Sequence, residues 1–73
     1  FVFKENNIRD VISTLNKAYN TNIICNDDNI LNLKYTVTFR NQEIESIVNV
    51  MARTFDLKIE QTENEIKLVK KSI

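Results

Sequence analysis

The feature that most constrains this 73-residue chain is an internal repeat. Sliding the sequence by the 36 positions that separate Phe3 from Phe39 also superimposes Ile8 on Ile44, Val11 on Ile47, Ile12 on Val48, Leu15 on Met51, Tyr19 on Phe55 and Ile23 on Ile59. Nearly every large apolar residue of the first half thus meets an apolar partner in the second. The spacing predicts two similar units closed around one core, with Phe3, Leu15, Tyr19, Phe39, Met51 and Phe55 inside it.

Each copy opens with alternating apolar and polar residues, at 1–4 and 33–40, as a half-buried strand requires. The pattern then changes period. Ile8, Val11, Ile12, Leu15 and Tyr19 fall at i, i+3, i+4, i+7 and i+11, and Ile44, Ile47, Val48, Met51 and Phe55 repeat that set on a second helix. A short strand follows in each copy, at 22–26 and 57–62. Asn20 and Asp56 occupy equivalent places after the helices, where the backbone usually turns left-handed and where Asn and Asp substitute best for glycine. Asn6 or Asn7 is expected to cap the first helix through its side-chain oxygen, and Gln42 or Glu43 begins the second, with Glu45 near its positive end. Glu63-Asn64 reads as a tight turn into a last strand, 65–70. Val50 and Ala52 widen the apolar arc of the second helix, as expected for a helix covered on two sides. The fold class is therefore α+β: a repeated βαβ-βαββ with two helices packed between two small β-sheets, residues 1–73 forming a single domain.

Composition narrows the function. There is no His, Gly, Pro or Trp, and only one Cys. Without His the commonest general base and metal ligand is missing, and without Gly no phosphate-cradling loop can form. No catalytic residue, cofactor or metal is expected. Ten basic residues balance ten acidic ones, which argues against non-specific nucleic-acid binding, a process driven by clustered Lys and Arg. The expected partner is another protein. No run reaches the ~18 apolar residues of a membrane span, and the start lacks both Met and a signal-peptide pattern, so the chain is expected to be a segment of a longer protein.

A few residues are candidates for chemistry. Asp27 and Asp28 lie in an oxygen-rich loop, but a calcium loop needs more ligands at alternating positions and a Gly at its sharp turn, so a solvated turn is expected. Cys25, on the same side of its strand as Ile23, reads as a small buried hydrophobe with no base beside it, not as a nucleophile. Lys70 and Lys71 read as solubilising charges. The element order also matches the RNA-recognition fold, and Phe1, Phe3, Tyr35 and Phe39 sit on the strands that would carry its stacking aromatics. The basic, Gly-containing third-strand pattern is absent, however, and the repeat makes Phe3 and Phe39 equivalent core residues. Alternation leaves Val2, Ile24, Lys67 and Val69 facing outward. Of these, Ile24, Lys67 and Val69 are taken as the partner-binding residues, with the last strand's free edge offered for an incoming strand.

The stretch from Phe3 to Leu15, then Tyr19-Asn20-Thr21-Asn22-Ile23, Thr38-Phe39-Arg40-Asn41-Gln42-Glu43-Ile44 and Thr54-Phe55-Asp56-Leu57 resembles the C-terminal periplasmic domain of FecR-type anti-sigma factors in their Bacteroidetes form. The resemblance spans essentially the whole chain and rests on apolar spacing and turn positions. A related pattern is the short signalling domain of TonB-dependent receptors and secretins, which is the alternative reading. The chain departs from both in having Asn20 and Asp56 where Gly is common, and in lacking Pro at the first helix start. The resemblance implies a non-enzymatic signal-relay module on the periplasmic side of the inner membrane of a Gram-negative bacterium. Its partner would be the periplasmic signalling domain of an outer-membrane receptor. The sigma factor and the membrane would be engaged through parts of the parent protein outside these residues.

Overall fold

A computed structural model describes residues 1–71. The chain runs β1 (Val2–Asn7), α1 (Ile8–Tyr19), β2 (Ile23–Ile24), α2 (Asp28–Leu31), β3 (Lys34–Thr38), α3 (Ile44–Phe55), β4 (Leu57–Gln61) and β5 (Ile66–Lys70). The opening strands of the two copies, β1 and β3, pair antiparallel as one sheet, and the second sheet has the order β2-β5-β4. There β5 runs antiparallel to β4 and parallel to β2. Helix α1 touches both sheets and α3 packs on β4, giving the expected α+β class. The last strand was expected at an edge. It is instead the middle strand, because β2 pairs with it at Ile23↔Ile66 and Ile24↔Lys67.

Both long helices bury one stripe: Ile8, Val11, Ile12 and Leu15 on α1, and Ile47, Val48, Met51 and Ala52 on α3. Asp10 and Glu45 sit in their first turns and Lys17 and Arg53 in their last, each opposing the local dipole charge. Both helices stop at a left-handed residue, Asn20 (φ 54°, ψ 48°) and Asp56 (φ 56°, ψ 53°), whose N–H returns to a carbonyl of the last turn. Their starts differ from expectation. Asn7 and Glu43 are the N-terminal boundary residues, but neither side chain caps its helix. The first N–H of α1, that of Ile8, donates instead to the Leu33 carbonyl at 2.9 Å, so the chain just before β3 closes the helix end.

The Asn6 side chain is occupied elsewhere. Between Phe3↔Val37 and Asn6↔Tyr35 the β1–β3 register shifts, with one extra residue on β1. Glu5 takes a left-handed conformation there (φ 50°). Its N–H donates to Thr36 Oγ1 at 2.9 Å, and the Lys4 N–H donates to Asn6 Oδ1 at 2.8 Å. Side chains thus satisfy the backbone groups that the bulge removes from the ladder. Asn41, with φ 49°, occupies the repeat position of Glu5, just as Asp56 occupies that of Asn20. All four left-handed residues of the described chain therefore fall into two repeat pairs.

The core gathers Phe3, Ile8, Val11, Leu15, Ile23, Tyr35, Phe39, Ile47, Met51, Leu57 and Leu68, among others. Leu15 and Met51, equivalent in the repeat, are both fully buried. Tyr19 and Phe55 pack against this core but stay half-buried, the Tyr19 hydroxyl donating to the Gln42 carbonyl at 2.8 Å. Phe55 meets the Tyr35 ring edge-on, with centroids 4.9 Å apart. The wide apolar arc expected for the second helix is narrower in fact: Ala52 is buried but Val50 is 39% exposed. An unanticipated one-turn helix, α2, replaces the loop after β2 and drives Ile30 into the core.

Leu15→Ala or Met51→Ala should cost roughly 2 to 5 kcal/mol, enough to unfold much of so small a domain in urea titration. Glu5→Gly should raise the melting temperature by removing a Cβ clash of about 1 kcal/mol, whereas Lys4→Gly, at ordinary backbone angles, should lower it.

Candidate interaction surface

Strand alternation gives the second sheet two unlike faces. Ile23, Leu57, Ile59, Ile66 and Leu68 belong to or pack on the core. The opposite face carries Ile24, Lys67, Val69, Lys58 and Glu60. Register places Ile24 beside Lys67, and Lys67 beside Glu60, so these three form one row across the sheet. Val69 beside Lys58 forms the next. Directly opposed residues on neighbouring strands share a face, so the structure brings Ile24, Lys67 and Val69 together on one outer surface. All three are half-buried. Lys58 Nζ lies 3.9 Å from Glu60 Oε2, both side chains at least half exposed, so the pair adds little stability while setting the charge pattern.

The outer side of β2 is not open for pairing at Ile23. The Ile23 N–H donates to Asn16 Oδ1 at 2.7 Å, and Asn16 Nδ2 donates back to the Ile23 carbonyl at 3.1 Å. A side-chain amide from α1 thus engages this residue's peptide groups as a neighbouring strand would. Thr21 Oγ1 adds a third bond to Asn16 Oδ1 at 3.1 Å. Beside this closure lies a shallow groove of about 450 Å³ between α1 and β2, with Ile12, Ile23, Ile24, Cys25 and Leu31 as its apolar lining. Sequence reasoning passed over Asn16. Its signal was a carboxamide bordering the apolar stripe, one turn beyond Ile12; the strand expected at 22–26 is in fact only Ile23–Ile24, too short for the sequence to announce its closure.

The remaining polar candidates serve the fold. Asp27 Oδ1 accepts the Asn29 N–H at 2.9 Å and caps α2, while Asp28 lies 3.7 Å from Arg9. The expected solvated turn is therefore a capped helical turn. Among the described residues no three His, Cys, Asp or Glu side chains gather as a metal-ligand set. Cys25 is half-buried, its Sγ 3.8 Å from the Asp27 carbonyl oxygen. Lys71 forms an exposed ion pair with Asp56 at 2.9 Å. Val2 is 64% exposed, on the other sheet.

Asn16→Ala should destabilise the domain by about 1 to 3 kcal/mol, because Ile23 loses its partners for both N–H and C=O at a largely buried position. Ser13→Ala, on the exposed side of the same helix, should change the unfolding midpoint little, and thermal melts of the two variants check the difference.

No helix among the described residues is long and apolar enough to cross a membrane. No curated protein matches the sequence significantly. Two crystal structures of a putative anti-sigma factor from Parabacteroides distasonis ATCC 8503, at 1.65 and 2.50 Å resolution, share the fold: each has a TM-score of 0.86 and 22% sequence identity over 99% of this chain. The chain spans 34% of the length of that protein. The family model described as FecR, C-terminal, matches residues 1–68. With the sequence pattern, the fold and this match in agreement, the chain belongs to the FecR C-terminal family.

Proposed function

We propose that this domain is the signal-receiving end of a transmembrane anti-sigma factor, standing on the periplasmic side of the inner membrane and contacting the periplasmic signalling domain of a TonB-dependent outer-membrane receptor. The family match over residues 1–68 is the observation that carries this reading. In it, the domain performs no catalysis. Receptor occupancy changes a protein–protein contact, and other parts of the parent protein hold the extracytoplasmic-function sigma factor and cross the membrane.

The chemistry of the surface supports a protein partner. The chain has no net charge and so lacks the electrostatic drive for nucleic acid. The outer face of the second sheet offers Ile24 and Val69 as apolar contacts with the Lys67 ammonium between them, a mixed surface of the kind protein interfaces use. We assign receptor contact to these three residues.

Isothermal titration of the domain with the signalling domain of the receptor encoded beside its parent gene tests this reading. Lys67→Glu and Val69→Asp should each weaken binding at least about tenfold, a loss of roughly 1.4 kcal/mol, with unchanged far-ultraviolet circular dichroism. Absence of binding by the native chain would remove the relay reading. Native affinity in both variants would move the contact to another surface.

A further inference from the structure

Strand β4 ends the second sheet, and among the described residues no strand pairs with its outer side. The direction of its backbone groups follows from the hairpin. The Thr62 N–H donates to the Glu65 carbonyl at 2.9 Å, continuing the β4–β5 ladder by one step. Counting back in twos, Glu60 and Lys58 direct their N–H and C=O toward β5. Leu57, Ile59 and Gln61 direct theirs toward the free edge. The Ile66 N–H, which donates to the Asn22 carbonyl of the strand on the other side at 3.0 Å, independently agrees with this phase.

We propose that β4 pairs antiparallel with β4 of a second copy of this chain, about a two-fold axis at Ile59, to give a continuous sheet of order β2-β5-β4-β4-β5-β2. In this register Ile59 faces the partner's Ile59 and Leu57 faces the partner's Gln61. Every outward-directed N–H and C=O of β4 then meets an outward-directed partner. Between them, at the sites where side chains approach most closely, Lys58 faces the partner's Glu60 and Glu60 faces the partner's Lys58.

The charges select this register over its neighbours. Outward-directed groups must pair with outward-directed groups, so the adjacent antiparallel registers move the axis by one residue. An axis at Lys58 sets two lysines face to face, and an axis at Glu60 sets two glutamates face to face. Only the axis at Ile59 makes both charged pairs opposite in sign. Lys67 already flanks Glu60 from β5, so each outer row would continue across the new contact from Ile24 through Lys67 and Glu60 to the partner's Lys58 and the partner's Val69. Lysine on an edge strand ordinarily discourages pairing. Here it admits one partner strand and penalises slipped ones. A five-residue strand pair buries little surface, so the association is weak and depends on concentration.

Sedimentation equilibrium of the 73-residue chain up to about millimolar concentration, at low salt, tests the proposal. The native chain should show a monomer–dimer equilibrium. Lys58→Glu and Glu60→Lys should each self-associate at least about tenfold more weakly, since each makes both facing pairs alike in charge. An equimolar mixture of the two variants should associate as a heterodimer, in which every facing charged pair joins a glutamate to a lysine. The double variant Lys58→Glu/Glu60→Lys should recover self-association, which keeps the test decisive if either single variant fails to fold. A strictly monomeric native chain overturns the proposal. So does self-association of a folded single variant equal to native, or failure of both the mixture and the double variant to associate.

Discussion

The second sheet depends on β5 lying between the closing strands of the two copies. Strand β2 belongs to the first copy and β4 to the second, and they do not pair with each other. The tight turn after β4 folds β5 back antiparallel, and its other side receives the two residues of β2 in parallel. Leu68, at its centre, is fully buried and ties that strand to the shared core. On the other sheet β1 pairs directly with β3. The repeat therefore closes in two different ways: by direct pairing of equivalent strands, and by insertion of a strand that has no equivalent in the first copy. Neither copy could bury its apolar stripe without the other, which is why Leu15 and Met51 share one interior in a chain of this size.

Glycine is absent, yet the backbone needs left-handed residues at four places. Their distribution as Glu5 with Asn41 and Asn20 with Asp56 shows that the repeat extends to backbone conformation at positions where the side chains differ. Asn and Asp accept this conformation with little penalty, while Glu does not. At Glu5 the compensation is local: Thr36 and Asn6 side chains take the hydrogen bonds that the bulge disrupts. The three ion pairs among the described residues lie on groups at least half exposed, so stability rests on the apolar core and on these backbone bonds.

The outer face of the three-stranded sheet contributes nothing to the interior beyond its backbone, and its side chains alternate apolar and charged groups in rows set by strand register. One edge of that sheet is closed at Ile23 by a side-chain amide, and the other is left with a self-complementary charge pattern.

Much of this was legible locally. The two long helices, their left-handed ends at Asn20 and Asp56, the approximate places of the strands other than the two-residue β2, the hairpin at Glu63-Asn64 and the outward direction of Ile24, Lys67 and Val69 follow from periods of 3.6 and 2 and from turn chemistry, all expressed within a few neighbouring residues. The family was legible for the same reason, since its pattern is one of apolar spacing. The tertiary structure alone decided that β5 is central, that Leu33 closes the start of α1, that Asn16 pairs with Ile23, that β1 bulges at Glu5 and that Val50 stays in solvent. Each of these depends on which distant segment supplies a hydrogen-bond partner or covers a side chain. A local pattern records which face of an element is apolar but not which neighbour arrives to cover it.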